Sequence, residues 1–246
     1  MPTLLLIRHG RTAANTAGVL SGWTAGVGLD DHGVGQARGL AERLSTVPFA
    51  AVVASPLQRT VETAKFLIAG GAEGTARPRL QRDRRIGEVK YGDWQNQKLT
   101  ALAKEPLWKA VQSYPSQVTF PGGESLRSMQ ARAVEAIREH DAQVAADAGP
   151  DAVWVAVSHG DVIKAILADA LGTHLDHFQR ITVDPCSVSI VRYAPSRPFV
   201  VRTNDGAGTD FAALLAPPPA RKRRRRATSD APVGGGAGTG SSPGAR

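Results

Sequence analysis

Cysteine is nearly absent from this chain: Cys186 is the only one in 246 residues. That excludes an intramolecular disulfide, and a reducing compartment is the simplest setting for the protein. Long apolar runs are absent as well. No stretch approaches the roughly 20 residues a helix needs to cross a bilayer, so no membrane role is expected. The opening MPTLLLIRHG holds a short apolar run with no basic segment before it and Arg8 directly after it, which speaks against a signal peptide. A cytoplasmic location is the expectation. Aromatic residues make up 5% of the chain and are missing from residues 217–246.

The net charge of +8 is unevenly spread. Residues 217–246 carry seven basic side chains, six of them in the run RKRRRR (Arg221–Arg226), against the single acid Asp230. That tail therefore holds a net +6 and leaves only +2 for residues 1–216. The tail opens with Pro217-Pro218-Pro219 and ends in Gly, Ala and Ser, a composition that cannot build a packed core. We expect a folded domain over 1–212 and a disordered Pro/Arg/Gly-rich tail over 213–246. Six adjacent charges bind polyanions weakly and with strong salt dependence. Without aromatics to stack on bases, the tail is read as an accessory rather than a nucleic-acid site.

Upstream, β-rich runs alternate with helical patterns. Strands are expected at Thr3–Ile7, Ala51–Ala54, Val153–Val157, Val188–Tyr193 and Phe199–Arg202, the 3–7 and 153–157 runs being apolar enough for burial on both faces. Helices are expected at about 31–45, 57–69, 124–147 and 161–171. The alternation implies an α/β three-layer domain with a mostly parallel central sheet. Residues 89–120 are less regular and read as a helical insertion.

In such sheets ligands bind beyond the carboxyl ends of the strands. Three segments in that place are polar where apolar continuation would have been easy: Arg8-His9-Gly10, Ser55 to Arg59, and Ser158-His159-Gly160. Phosphoryl transfer needs a nucleophile, cations around the equatorial oxygens, and an acid for the departing alcohol. A neutral imidazole is a competent nucleophile when nearby cations hold its pKa down. The planar fork of arginine pairs with phosphate oxygens in a fixed geometry. His9 suits the first role, Arg8 and Arg59 the second, His159 supplies a further donor, and Glu88 in GEVKYGDW suits the acid.

These motifs resemble the histidine phosphatase superfamily, in its phosphoglycerate mutase-like branch. The match runs through LLLIRHGRTAAN (with Asn15), ASPLQRTVETA (with Arg59), EVKYGDW (with Glu88), PGGES at 121–125 and SHG at 158–160, covering about residues 3–193. Within the family the pattern is similar to an actinobacterial subgroup of phosphomutases and acid phosphatases. The resemblance implies a phosphoglycerate mutase-like fold, a phosphohistidine on His9, Glu88 as proton donor and acceptor, and no metal or other cofactor. By analogy Asn15, Ser21, Gly22 and Gly160 join the phosphate contacts. Two places depart from the family pattern: Gln95-Asn96 stands where Glu-Gly is usual, and Gly28-Leu29-Asp30 where Pro-Leu-Thr is usual. Both are expected near the non-phosphate part of the substrate.

Several residues also have plainer readings. Asn15 is equally suited to capping a turn, and Glu124 and Ser125 to opening a helix. His174, Asp176 and His177 follow a helix end, where cationic histidines are welcome, and do not compose a metal site. His32 and His140 need no special role. Trp94 and Trp108 suit a core cover as well as a pocket wall. Cys186 and Arg192 have the C-x5-R spacing of cysteine-dependent phosphatases, but the five residues between alternate as a strand, which holds the two about 20 Å apart. Phosphomonoester hydrolysis on a small phosphoester is the favoured function. A phosphomutase is the alternative, weakened because only Lys90, Lys98, Lys104 and Lys109, and no arginine, lie between Glu88 and Pro121. Whether the chain pairs as a homodimer is left open.

Overall fold

The two runs expected to be buried on both faces become the central strands of one six-stranded sheet. In the computed structural model, which describes residues 1–75 and 77–206, β1 (Thr3–Arg8) pairs in parallel with β4 (Val153–Ser158), Thr3 opposite Val153 and Arg8 opposite Ser158. β2 (Ala51–Ala54) runs parallel on the other side of β4, and β3 (Leu80–Arg82) parallel to β2. β5 (Val188–Tyr193) and β6 (Pro198–Asp205) add an antiparallel flank, giving the order β3-β2-β4-β1-β5-β6.

Alternate side chains leave the strands on opposite faces, and the core divides accordingly. Leu4, Leu6, Val53, Trp154 and Ala156 pack on one side with α6 (Leu126–Ala148) and α7 (Gly160–Ala170). Leu5, Ile7, Val52, Ala54, Val155 and Val157 pack on the other with α2 (Asp31–Arg43) and α3 (Gln58–Ala69). This is the three-layer α/β arrangement with a mostly parallel sheet.

The insertion consists of short helical pieces: turns of 3-10 helix at Gly92–Trp94 and Pro115–Gln117, and helices at Leu99–Leu102 and Pro106–Ser113. Trp94 and Trp108 are buried there and stack at 6.1 Å between ring centroids, so both cover the core. β3 was not foreseen; it is three residues long and its Gln81 and Arg82 are exposed, which leaves no apolar pattern to read. The last strand runs on to Asp205 rather than stopping at Arg202, because Val188 pairs with Asp205 across a register shift. The expected domain boundary near residue 212 and the basic tail lie outside the described residues. Among the described residues no helix is long and apolar enough to cross a membrane.

Candidate active site

Because β1 and β4 are parallel and in register, they end side by side, and the residues after them meet. His9 and His159 stand 5.3 Å apart between ring centroids, and the His9 amide donates to the Ser158 carbonyl at 3.0 Å. Gly10 lets the start of α2 approach closely: a Cβ on it would lie 2.7 Å from the Gly33 carbonyl oxygen. β2 ends beside them and feeds Arg59 into the first turn of α3. Arg8, His9, Arg59, Glu88 and His159 are all 4% exposed or less.

The bonds around His9 fix its tautomer. Nδ1 lies 2.7 Å from the Gly10 carbonyl, an acceptor only, so Nδ1 carries the proton. Nε2 is left with a lone pair, which accepts from Arg59 Nε at 3.3 Å. Burial first, then Arg59 and Arg8, hold the imidazole well below its ordinary pKa, so it is neutral at pH 7. His159 is lowered in the same way, by burial and then by Arg59. Its Nδ1 faces Arg59 Nη2 at 3.2 Å and its Nε2 faces Ser55 Oγ at 2.8 Å, so Ser55 orients the ring.

Arg59 is the hub. Nη2 also donates to the Gly22 carbonyl at 2.9 Å, while Nη1 is buried without a hydrogen-bond partner among the described residues. A buried guanidinium nitrogen left open beside a histidine lone pair is a place for an anion's oxygen. Gly22 has φ +50, in the left-handed region, and a Cβ there would press on Gln95 Oε1 at 2.9 Å. Arg8 donates from Nη1 to the Val183 carbonyl at 2.8 Å. Burial lowers its pKa to about 10, which still leaves it charged at neutral pH. Gly160 is the first residue of α7, whose leading amides have no capping side chain from His159. A helix start of this kind favours anions.

Glu88 completes the cluster. Oε1 accepts from the Val89 amide at 3.0 Å, and Oε2 lies 3.7 Å from His159 Nδ1 and 4.0 Å from Arg59 Nη2. Burial, then the Asp161 carboxylate, push its pKa up to about 7 against the opposing pull of Arg59. A carboxyl so placed both gives and takes a proton near neutral pH. Its segment is held through carbonyls: Ser158 Oγ donates to Ile86, Arg132 to Arg85, Gly87 and Glu88, and Trp23 Nε1 to Glu88.

Two further residues expected at the phosphate, Asn15 and Ser21, make local structural bonds. Asn15 Oδ1 accepts from the amide and hydroxyl of Thr12, the N-cap of the short helix α1 (Ala13–Thr16), so this side chain serves the cap. Ser21 opens a turn through its carbonyl, which accepts from the Thr24 amide at 3.0 Å. Asp30 caps α2 through the Gly33 amide at 2.7 Å and pairs with Arg11 at 2.8 Å, a structural use of that departure from the family pattern. At the other departure Asn96 adopts φ +64, a conformation suited to the usual glycine, and accepts from Thr24 Oγ1 at 2.7 Å. Gln95 accepts from the Trp23 amide at 3.0 Å. Both therefore tie the 21–24 turn to the insertion.

His174 Nδ1 accepts from the Asp176 amide at 3.3 Å, and Asp176 accepts from the Ser116 amide at 2.8 Å. These are capping roles. Among the described residues no group of three or more His, Cys, Asp or Glu is placed to hold a metal. Cys186 sits just before β5 and donates its amide to the Arg8 carbonyl, whereas Arg192 bonds Thr3 at the far end of β1. Burial pushes the Cys186 thiol up to about 12, and no phosphate loop joins it to Arg192. Missed in the sequence were Ser55 as an orienting group, Arg132 and Trp23 on the Glu88 backbone, and Tyr91, Asp161 and Lys164 beneath the site.

Comparison with known proteins agrees with this geometry. The family model described as histidine phosphatase superfamily (branch 1) matches residues 4–206. The chain is 29% identical over 214 residues to phosphoserine phosphatase 1 of Hydrogenobacter thermophilus, covering 83% of this chain and 92% of that one. It is 28% identical over 188 residues to 2,3-bisphosphoglycerate-dependent phosphoglycerate mutase 2 of Gloeobacter violaceus, covering 76% and 83%. Among solved structures, the YhfR protein of Bacillus stearothermophilus superposes with a TM-score of 0.74 at 27% identity, covering 83% of this chain and 98% of that one. With three of the motifs at the ends of three parallel strands, Glu88 of a fourth beside them, and a family match over residues 4–206, this chain belongs to the histidine phosphatase superfamily, branch 1.

Proposed function

We propose that the protein is a phosphomonoester hydrolase acting on small phosphorylated metabolites through a phosphohistidine on His9. The observation that carries this reading is the convergence of the His9 Nε2 lone pair and the Glu88 carboxyl on one guanidinium, that of Arg59. Arg8, Arg59, the α7 amides at Gly160 and His159 surround the phosphoryl oxygens. His9 Nε2 forms a bond to phosphorus as the bond from phosphorus to the alcohol oxygen breaks, and Glu88 passes its proton to that oxygen. The proton on Nδ1 stays there, donated to the Gly10 carbonyl. In the second step water attacks phosphorus, Glu88 takes back a proton from it, and the N–P bond breaks to release phosphate and neutral His9.

The phosphoglycerate mutase relative supports a second reading, in which another hydroxyl rather than water receives the phosphoryl group. Lys90, Lys98, Lys104 and Lys109 are all exposed, so the insertion brings no buried cation toward the site for a second phosphate. That favours hydrolysis.

The test is hydrolysis of p-nitrophenyl phosphate by the full chain in excess chelator, beside His9→Ala. Wild-type activity is expected to survive chelation, and the variant to lose it by at least ~10³-fold. Full activity in His9→Ala would overturn the reading. Isomerisation of a phosphoglycerate with little free phosphate released would favour the mutase.

A further inference from the structure

Beneath the site, α7 is buried almost throughout, and of its three charged residues Asp169 lies half-buried near the far end, paired with Arg138, while Asp161 and Lys164, one turn apart, are exposed only 1% and 3%. Burying an ionised pair costs several kcal/mol per ion before the attraction is counted, and apolar side chains would fill the same space without that cost. These two are tied to specific partners. The Tyr91 hydroxyl donates to Asp161 Oδ2 at 3.0 Å. Lys164 Nζ lies 3.7 Å from Asp161 Oδ1 and donates to Gln179 Oε1 at 3.0 Å. Tyr91 belongs to the same turn as Glu88, and Asp161 follows His159 by two residues. One carboxylate thus joins the segment bearing the acid to the helix bearing the second histidine.

We infer that Asp161 is a positioning residue for the acid–base step: pinned by Tyr91 and Lys164, it anchors the Glu88–Tyr91 segment on α7 and sets the charge around the Glu88 carboxyl. This rests on the hydrolase reading above. The charged and titratable groups around Glu88 come from every side: Arg8 and His9 at the end of β1, Arg59 from α3, His159 at the cap of α7, and Asp161 and Lys164 on α7. Tyr91 lies on its own segment, and Arg132 of α6 is on its carbonyl. Arg59 and Arg8 favour the ionised carboxyl, while burial and Asp161 favour the protonated one and prevail. Asp161 is thus the negative charge that opposes two arginines. With it, Glu88 keeps a proton to give to a poor leaving group. Without it, burial alone opposes the arginines, and Glu88 gives up its proton at lower pH.

The experiment is the pH profile of kcat/KM for the full chain with glycerol 2-phosphate and with p-nitrophenyl phosphate. Wild type, Asp161→Asn, Tyr91→Phe and His9→Ala are compared. The substrate's own ionisation is common to all and cancels in the comparison. Asp161→Asn is expected to move the alkaline limb for glycerol 2-phosphate about one unit to lower pH, and to change p-nitrophenyl phosphate little at its optimum, since nitrophenolate leaves without an acid. Tyr91→Phe keeps every charge and is expected to lower kcat for glycerol 2-phosphate several-fold, with KM within about twofold and the limb in place. An unmoved limb in folded Asp161→Asn overturns the inference. If Asp161→Asn does not fold, Tyr91→Phe decides it, and unchanged kcat there overturns it. In either case inactive His9→Ala shows that the hydrolase reading stands, whereas active His9→Ala would mean that this reading itself has failed.

Discussion

Arg59 Nε stands 3.3 Å from His9 Nε2, the atom that the Gly10 carbonyl leaves without a proton. The guanidinium thereby keeps a proton off the nucleophile and at the same time occupies the approach of the phosphoryl oxygens. Arg59→Lys retains one charge and loses the fork that meets His9, His159 and Gly22 together. We expect kcat/KM for p-nitrophenyl phosphate to fall by ~10²–10³-fold. A loss below threefold in steady-state kinetics would place the phosphoryl group elsewhere.

Glu88→Gln keeps the shape and the acceptor for the Val89 amide but has no proton to give. Hydrolysis of alkyl phosphates is expected to slow by ~10²–10⁴-fold, as for removal of a general acid. Formation of nitrophenolate in the first turnover should be much less affected. Equal losses on both substrates, measured by burst kinetics, would remove Glu88 from proton transfer to the leaving group.

The same substitution carries a stability signature. Burial and Asp161 push folded Glu88 up to about 7 from its ordinary 4.5, so between those pH values the native state holds a proton that the unfolded chain has released. Wild-type stability therefore falls as pH rises from about 4.5 through about 7, by an amount of order 3 kcal/mol. Glutamine is free of this loss. Glu88→Gln is expected to melt several degrees above wild type at pH 8 and level with it near pH 4.5. A difference that does not vary with pH in thermal denaturation would contradict the burial of an acid here.

Inorganic phosphate should fill the cradle without reaction. At about 100 times its Kd it is expected to stabilise the fold by roughly 2.7 kcal/mol, raising Tm by several degrees. Arg59→Ala, which removes the open Nη1, should abolish most of that rise. An undiminished shift in the variant would locate phosphate binding outside this cluster.

Much of this was legible before the structure. Thr3–Ile7 and Val153–Val157 showed their place at the sheet centre because both faces of each are apolar, and the polar residues after them then had to share one end. His9, Arg59 and His159 could be read for that reason. Glu88 was legible only through its motif, since burial and Asp161, not neighbours in sequence, set its proton affinity. Asn15 was read both as a cap and as a phosphate contact, because a capping asparagine and a ligand-binding one look alike in sequence; the capping bonds are what the structure shows. The hold of Arg132 on the Glu88 segment carried no local signal, as the carbonyls it meets lie more than forty residues earlier, while its nearby partner Glu124 reads as an ordinary surface pair. Asp161 and Lys164 did carry one that went unused: two opposite charges, a turn apart, in the part of a helix whose other residues are apolar enough to be buried.

The clasp of Arg132 on the Arg85, Gly87 and Glu88 carbonyls has a consequence for how this scaffold diversifies. The acid is anchored from a long helix of the core layer rather than from the short helices that follow it in the chain. Exposed insertion residues such as Lys104, Glu105 and Lys109 can therefore be exchanged without dragging the proton donor out of place. Selection, or a designer, is free to alter which molecules enter while the bond-breaking machinery keeps its alignment.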